Sequence, residues 1–288
     1  MTSGLPEGLA PAKINLALHV TGRRPDGFHL LDSLVVFADI GDRLTVAPAE
    51  DLSLTVDGPF VEGIPADDRN IVLRAARTLK EARGVEHGAR ITLTKLLPHP
   101  AGIGGGSSDA ATVLRLLSDQ WQVHPFAADD PRVVALGADI PVCLCAPAAT
   151  LMSGIGEVLR PTPPLPGCGL VLANPRVDVP TGAIFSGLAS VDGSPLPDLP
   201  PALSFDGFCD WIDGCRNDLT APATTVAPVI GEALALLGQA TGVGTTVMSG
   251  SGATCVGLFP DLESAEAAAE DLRQARPAWW VTAAKMLT

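Results

Sequence analysis

A glycine-rich segment between a predicted strand and a predicted helix constrains the fold of this chain more than any other feature. The segment is PHPAGIGGGSSDAA, from Pro98 to Ala111, and four of its residues are glycine. The pattern of residues 89–98 predicts a strand, and that of residues 107–121 predicts a helix. Glycine permits positive φ and removes Cβ atoms, so backbone N–H groups can converge there on an anion. The segment is therefore either a tight turn or a phosphate cradle.

The segment matches neither of the two common phosphate-binding motifs. A Walker A loop requires a lysine after its last glycine, whereas Ser107 follows Gly106. A dinucleotide fingerprint requires G-x-G-x-x-G, and Gly102 and Gly104 supply only its first half. A following helix still offers unpaired N–H donors and the positive end of its dipole, and Ser107 and Ser108 add hydroxyls. Taken alone, the segment predicts a generic phosphate site.

Composition narrows the class of protein. Hydrophobic residues make up 47% of the 288-residue chain and charged residues 18%, which suits a folded core. The net charge of −13 argues against a nucleic-acid partner. The six cysteines match no metal or redox spacing, so we expect buried thiols in a reducing cytoplasm. We expect neither a signal peptide nor a membrane span.

Helices and strands mix along the chain without strict βαβ alternation, which favours an α+β fold. The proline-rich segment PTPPLPG at 161–167 predicts a boundary between two domains, 1–160 and 161–288. Helices are predicted at 67–84, 107–121, 226–238 and 261–275. Strands are predicted at 12–20, 33–40, 43–47, 52–56, 89–98, 169–175, 244–248, 253–259 and 279–286.

Terminal residues predict how the first two helices begin and end. An Asp is expected to cap the start of the helix at 67–84, and Gly84 suits the position after its end. Ser107 or Ser108 is expected to cap the next helix, with Asp109 in its first turn facing the positive end of the dipole. This reading of Asp109 argues against a catalytic role.

The order of the motifs resembles that of the GHMP kinases, small-molecule kinases whose ATP loop lacks the Walker lysine. The strand, P-x-x-x-G-I-G-G-G-S-S-D-A-A and the helix resemble the second motif of that family, and MSGSGATCVGLF at 248–259 resembles the third. The resemblance implies a two-domain fold. The N-terminal ATP-binding domain would be like ribosomal protein S5 domain 2, and the C-terminal domain would be a ferredoxin-like α/β plait.

Other segments resemble one branch of the family, whose members phosphorylate the 2-hydroxyl of 4-diphosphocytidyl-2-C-methyl-D-erythritol in non-mevalonate isoprenoid synthesis. The most specific is PAKINLALHVTGRRPDGFHLLDSL at 11–34, and LGADIPVCL at 136–144 resembles a catalytic aspartate segment. RVDVPTGAIF at 176–185 and RNDLTAPA at 216–223 are weaker matches in the same order.

The resemblance implies that Asp139 and Lys13 are the catalytic residues. Asp139 would be the general base on the acceptor hydroxyl, and Lys13 would stabilise the ionised Asp139 and the developing charge. Without the resemblance, Asp139 reads as an aspartate that bonds local N–H groups, and Lys13 as a solvated lysine. Strand alternation puts Asn15 on the same side as Lys13.

The resemblance also assigns the binding residues. ATP would contact the glycine-rich segment through Pro98, Ala101, Gly102, Ile103, Gly104, Gly105, Gly106, Ser107 and Ser108. The chain shows no metal-binding cluster, so Mg²⁺ would arrive with ATP, held mainly by phosphates and water. Ser108 is a possible ligand of that ion.

The cytidine end of the substrate would meet a second set of residues. Phe28 would stack on the cytosine in place of the tyrosine common in the family, Phe185 would be the second ring, and His29 would recognise the base edge. The other residues expected at the substrate are Asn15, Pro180, Thr181, Ser251 and Gly252. The alternative interpretations are that Phe28 is a core aromatic residue, that His29 is a loop histidine with satisfied hydrogen bonds, and that residues 249–252 form a tight turn.

Two other functions stay open at this point. A GHMP kinase for another small alcohol, such as homoserine or mevalonate, would lack a use for the R-x-D-G-F-H segment at 24–29. A nucleotide-binding homologue without catalysis is disfavoured because both Lys13 and Asp139 are present. We expect a small-molecule substrate, no membrane partner, and a monomer or weak homodimer.

Overall fold

The computed structural model describes residues 8–288 of the chain. Strands and helices are mixed along these residues, and the α+β expectation is confirmed. The strands are β1 (Leu9–Arg23), β2 (His29–Ala49), β3 (Ser53–Asp57), β4 (Gly88–Thr94), β5 (Thr150–Gly154), β6 (Val158–Pro161), β7 (Gly169–Asn174), β8 (Thr245–Met248), β9 (Cys255–Phe259) and β10 (Trp280–Leu287). The helices are α1 (Ile71–Arg83), α2 (Gly105–Trp121), α3 (Pro131–Leu136), α4 (Ile140–Leu144), α5 (Thr181–Ser186), α6 (Phe205–Asp213), α7 (Thr220–Val226), α8 (Val229–Gly238) and α9 (Leu262–Ala275).

The chain forms two compact units that are interleaved in sequence. Among the described residues, unit 1 contains residues 8–12, Ile40–His99 and Gly104–Pro147. Unit 2 contains Lys13–Asp39, Pro100–Ile103 and Ala148–Thr288. Strands β1 and β2 therefore each contribute residues to both units. The expected division of the chain at 161–167 stays a prediction.

Unit 1 packs helices beside a small sheet. The end of β2 pairs antiparallel with β4, from Arg43 opposite Thr94 to Ala49 opposite Gly88. Strand β3 pairs parallel with β4. Helix α2 packs against α1 and α4, and its buried face is lined with small and branched residues. Apolar side chains at helical spacing, among them Val72, Leu79 and Leu117, fill this core.

Unit 2 is built on antiparallel strands. Strand β10 pairs with β7 along its length and with β2 through Met286 opposite Ala38. Strands β9 and β8 continue from β7, and β5 and β6 continue from β2. Helix α9 packs on β7 and β10, and α8 packs on β8 and β9. The core between these layers contains Val171, Ala173, Cys255 and Ala265.

Two predicted strands, 33–40 and 43–47, are one strand, β2. The gap between the two predicted strands, Gly41 and Asp42, lies inside β2. A Cβ on Gly41 would lie 1.9 Å from the Ala10 carbonyl oxygen, so only glycine permits this approach of the two backbones. Asp42 is wholly buried and accepts from the N–H groups of Leu96 and Leu97.

The expected caps of α1 and α2 were wrong in part. Asn70, and not an aspartate, caps α1 by accepting from the Val72 N–H at 2.9 Å. Asp67 instead pairs with Arg69 in the turn before the helix. Gly84 ends α1 in the left-handed region at φ 63°, as predicted.

Helix α2 begins earlier than predicted, at Gly105. Its N-cap is Gly104 at φ 62°, without a side-chain hydrogen bond, so neither Ser107 nor Ser108 is the cap. Asp109 therefore lies beyond the first turn and does not face the end of the dipole. The segment 226–238 is likewise divided, because α7 ends at Val226 and α8 begins at Val229.

Candidate functional site

The glycine-rich segment is divided between the two units. Residues Pro100–Ile103 belong to unit 2, and unit 1 resumes at Gly104.

In unit 2, three consecutive carbonyls of the segment are held by hydrogen bonds. The Ala101 oxygen accepts from the Thr254 N–H at 3.2 Å and from the Thr254 hydroxyl at 2.6 Å. The Gly102 oxygen accepts from the Ser249 hydroxyl at 2.9 Å. The Ile103 oxygen accepts from the Lys13 N–H at 3.0 Å. The segment is thus fixed at each of these residues and is not a flexible turn.

This arrangement suits an anion site because it occupies the carbonyls, which would repel a phosphate. Gly102 is required by packing as well. Its φ is +71°, and a Cβ would lie 2.5 Å from the Gly252 oxygen and 2.6 Å from the Ser249 oxygen. Close packing of the backbone is therefore sufficient to explain why residue 102 is glycine, as the alternative interpretation holds.

In unit 1, the next glycines form the start of α2 and have a different environment. A Cβ on Gly105 would lie 3.5 Å from Lys95 Nζ, and one on Gly106 would lie 3.6 Å from Ile71 Cγ2, which are ordinary contact distances. Neither glycine has positive φ. Packing within unit 1 therefore does not require glycine at either position. The first N–H groups of a helix lack intrahelical partners, and a bare surface beside them fits a phosphate.

A buried charge cluster lies beside this helix start. Lys95 Nζ donates to Asp109 Oδ2 at 2.8 Å and also to Asp42, and all three side chains are buried. Burial raises the pKa of Asp109 to about 8; the Lys95 ammonium opposes this rise and the Asp42 carboxylate adds to it. Burial is the main reason that the Asp109 carboxyl retains its proton, and the one nearby ammonium, that of Lys95, is shared with the Asp42 carboxylate. Asp109 is therefore a buried residue of α2 whose protonated carboxyl accepts a hydrogen bond from Lys95.

The described residues contain no group of three or more His, Cys, Asp or Glu side chains that could hold a metal ion. The Ser108 hydroxyl in α2 is buried and has no hydrogen-bond partner among residues 8–288. A single hydroxyl does not form a metal site by itself. It could serve as one additional ligand of a magnesium ion that is bound mainly by a nucleotide.

Lys13 lies in β1 within unit 2, and it is not the solvated lysine of the alternative interpretation. Its side chain is 3% exposed. Lys13 Nζ donates to Asn15 Oδ1 at 2.9 Å, so the two side chains share one face of the strand as predicted. Both faces of β1 are buried over this stretch. Asn15 also donates its backbone N–H to the Ser249 hydroxyl at 3.1 Å, which connects β1 to the turn after β8.

Asp139 lies in unit 1 at the N-cap position of α4. Its side chain is half-buried and makes no capping hydrogen bond to the helix, while its carbonyl accepts from the Cys143 N–H at 3.2 Å. The Asp139 carboxylate therefore does not cap α4.

The rings expected at the cytosine lie in unit 2. The rings of His29 and Phe185 stack with centroids 4.9 Å apart and an interplanar angle of 26°. Phe28 instead lies in the loop before β2 and is 57% exposed. Burial lowers the pKa of His29, and the nearby Arg23 charge lowers it further. His29 is thus held toward its neutral form, in which one ring nitrogen can accept a hydrogen bond.

The turn between β8 and β9 meets the start of α5. The Thr181 and Ser251 hydroxyls are 2.9 Å apart, and Pro180 precedes the first turn of α5. Gly252 has φ +91° and Gly250 has φ +55°, so both have the positive φ expected of a tight turn. The same turn supplies the Ser249 hydroxyl that fixes the Gly102 carbonyl.

Sequence reasoning missed several residues that build these sites. In unit 1 they are Asp42 and Lys95; in unit 2 they are Ser33, Asn174 and Thr254, of which Asn174 donates to the Thr254 hydroxyl at 2.9 Å. A polar residue within an apolar run, such as Ser33 in SLVVF or Lys95 in ITLTKLL, is a signal that could have identified two of them.

Two family models match the chain. The model of the GHMP kinases N terminal domain matches residues 70–147, and that of the GHMP kinases C terminal domain matches residues 202–278.

Similar proteins match over almost the full length. A protein of Cereibacter sphaeroides named 4-diphosphocytidyl-2-C-methyl-D-erythritol kinase is 52% identical over 285 residues, with 98% of this chain and 99% of the relative covered. A protein of the same name from a Jannaschia species is 52% identical over 289 residues, with 100% and 99% covered.

Solved structures are similar as well. A crystal structure of 4-(cytidine 5'-diphospho)-2C-methyl-D-erythritol kinase has a TM-score of 0.78 and 34% identity, with 97% of this chain and 98% of that chain covered. Homoserine kinase from Cytophaga hutchinsonii has a TM-score of 0.67 and 15% identity, with 99% and 97% covered, and this similarity shows the fold alone.

Proposed function

Because the chain belongs to the GHMP kinases, and among them to the 4-diphosphocytidyl-2-C-methyl-D-erythritol kinases, we propose that it phosphorylates the 2-hydroxyl of that substrate. The γ-phosphoryl group of ATP moves to the hydroxyl oxygen, the hydroxyl proton is lost, and ADP leaves. The product is the 2-phosphate, an intermediate of non-mevalonate isoprenoid synthesis. The observation that carries the proposal is full-length similarity to relatives whose names state this substrate.

In this proposal Asp139 is the general base. The carboxylate accepts the proton of the attacking hydroxyl as the oxygen bonds to the γ-phosphorus. Full-length similarity to relatives named as this kinase supports the role.

Lys13 is the electrostatic partner in the same proposal. A cation stabilises the negative charge that develops on the transferring phosphoryl group and on the leaving ADP oxygen. Its near-complete burial supports the role, because the effect of a charge grows where water is excluded.

ATP binds through the glycine-rich segment, from Pro98 to Ser108. Support comes from the occupied carbonyls of 101–103 and from the two glycines at the start of α2 that packing does not require. Magnesium neutralises charge on the phosphates, and the Ser108 hydroxyl is its proposed contact with the chain.

The cytidine end of the substrate binds near β2 and α5. We assign the base to Phe28, His29 and Phe185, with Asn15, Pro180, Thr181, Ser251 and Gly252 as further substrate contacts. The exposed ring of Phe28 supports this assignment, since an aromatic residue at 57% exposure is free to stack on a ligand.

Three finer expectations belong to the proposal as well. They are two domains at 1–160 and 161–288, a cytoplasmic enzyme, and a monomer or weak homodimer. The cysteines support the compartment, since none of the six forms a disulfide. No helix among residues 8–288 is long and apolar enough to cross a membrane.

A coupled ADP-release assay tests the proposal. The purified chain is given ATP, magnesium and one alcohol from a panel of 4-diphosphocytidyl-2-C-methyl-D-erythritol, homoserine and mevalonate. We expect ADP release with the first alcohol at a kcat/KM at least about 100-fold above the others. Preference for homoserine or mevalonate would establish the other kinase function, and no turnover with any alcohol would indicate an inactive homologue.

A further inference from the structure

A buried chain of three side chains in unit 2 has a fixed hydrogen-bond polarity. Lys13 Nζ donates to Asn15 Oδ1 at 2.9 Å, and Asn15 Nδ2 donates to Ser33 Oγ at 2.7 Å. Ser33 Oγ donates in turn to the Ala17 carbonyl oxygen at 2.6 Å. An ammonium can only donate and a carbonyl can only accept. The two ends therefore impose the same direction on every bond between them.

This polarity determines how the Asn15 amide is turned. The Ser33 hydroxyl gives its proton to the Ala17 carbonyl, so toward Asn15 it can only accept. The NH₂ group of Asn15 must face Ser33, and its oxygen must face Lys13. If the amide rotated by half a turn, two donors would meet at Lys13, and the Ser33 oxygen would lose its donor.

The Ser33 hydroxyl is not needed for strand formation. Ser33 pairs with Met152 across β2 and β5 through backbone atoms. Its side chain is fully buried. The hydroxyl makes two hydrogen bonds there, because it accepts from the Asn15 amide and donates to the Ala17 carbonyl.

We propose that Ser33 is a positioning residue for the phosphoryl transfer, and that it acts by orienting Asn15 so that the amide oxygen holds the ammonium of Lys13. The inference rests on the proposed function, in which Lys13 stabilises the transferring phosphoryl group. Ser33 and Asn15 are on different strands, so the position of the ammonium is set by β1 and β2 together.

The test compares three variants with the wild type in the ADP-release assay. Ser33→Ala removes the hydroxyl, and Ser33→Thr retains it. Ser118→Ala is the matched control, because Ser118 in α2 is also buried and its hydroxyl also donates to a backbone carbonyl, that of Leu114 at 2.7 Å. Melting temperatures are measured for all variants so that loss of folding is recognised.

We expect Ser33→Ala to lower kcat at least about fivefold, while KM for ATP changes less than about twofold, since a misplaced catalytic group affects the transition state most. Ser33→Thr should restore most of this kcat, and Ser118→Ala should retain wild-type kcat. A smaller loss in Ser33→Ala would overturn the inference, and so would a loss that Ser118→Ala shares. Should Ser33→Thr unfold, the comparison of the two alanine variants decides by itself.

The outcomes separate this inference from the proposed function. If the wild-type chain releases no ADP with the cytidine substrate, the proposed function fails first. If the wild type turns over and Ser33→Ala does so equally well, only the role of Ser33 is wrong.

Discussion

Asp139 provides the sharpest test at the scale of a single residue. Asparagine has nearly the same shape as aspartate but cannot accept the hydroxyl proton, so Asp139→Asn should lower kcat about 100-fold or more. Nucleotide binding should change little, because the proposed ATP contacts are in the glycine-rich segment. The measurements are kcat from ADP release and the Kd for ATP from calorimetry.

The control for this variant is Asp129→Asn, at an exposed aspartate of the same unit, which should retain full activity. Near-full turnover in Asp139→Asn would show that another group takes the proton.

Residue environments were the hardest part to predict from the sequence. Strand alternation correctly paired Lys13 with Asn15 on one face of β1. The same reasoning could not find Ser33, whose contact with Asn15 depends on the register of β1 against β2. Asp109 was misplaced because the start of α2 was predicted at Ser107 or Ser108, whereas the glycines at 105 and 106 are already helical.

At the scale of an element, the start of α2 separates two uses of glycine. Gly106→Ala adds a methyl group at ordinary contact distance and without positive φ, so stability should stay equal or rise by up to about 1 kcal/mol. Affinity for ATP should nevertheless fall, because the methyl group occupies the surface proposed for the phosphates. Thermal unfolding and the Kd for ATP measure the two effects.

Gly102→Ala should instead lower the stability of the folded protein. Its φ of +71° and the nearby Gly252 oxygen predict a loss of about 2 kcal/mol or more in the free energy of unfolding.

The control for Gly106→Ala is Gly238→Ala, at a helical glycine of α8 where a Cβ would meet nothing within 4 Å. This variant should leave ATP affinity unchanged. Wild-type ATP affinity in Gly106→Ala would remove the support that these glycines give to the phosphate site.

Element boundaries followed from the sequence where local chemistry determines them. Gly84 ended α1 as predicted, since a left-handed residue after a helix favours glycine. The continuity of β2 through Gly41 was not predicted, because the glycine there permits the approach of the Ala10 backbone, a contact between residues far apart in sequence.

For the whole molecule, the buried cluster of Lys95, Asp42 and Asp109 predicts how stability depends on pH. The folded chain holds a proton on Asp109 between its ordinary pKa of 3.8 and about 8, and the unfolded chain does not. The free energy of unfolding should therefore fall as pH rises through this range, by at most about 1.4 kcal/mol per pH unit.

Asp109→Asn removes the titrating group while retaining a similar shape. Urea unfolding at several values between pH 5 and pH 8 should give a flatter dependence than the wild type shows. Asp119→Asn, at an exposed position of the same helix, should keep the wild-type slope. An unchanged slope in Asp109→Asn would mean that this carboxyl is ionised throughout the range.

The position of β10 between β7 and β2 has a consequence for synthesis of the chain. Ala38 in β2 pairs with Met286, and Val171 in β7 pairs with Ala283. Neither pairing can form until β10, the last strand of the chain, has been synthesised. While the ribosome is still adding the intervening residues, the newly made β2 and β7 each have an open edge, and such edges attract other chains. Unit 2 is therefore exposed to aggregation until β10 has been made, and an expression host rich in chaperones should raise the soluble yield of the protein.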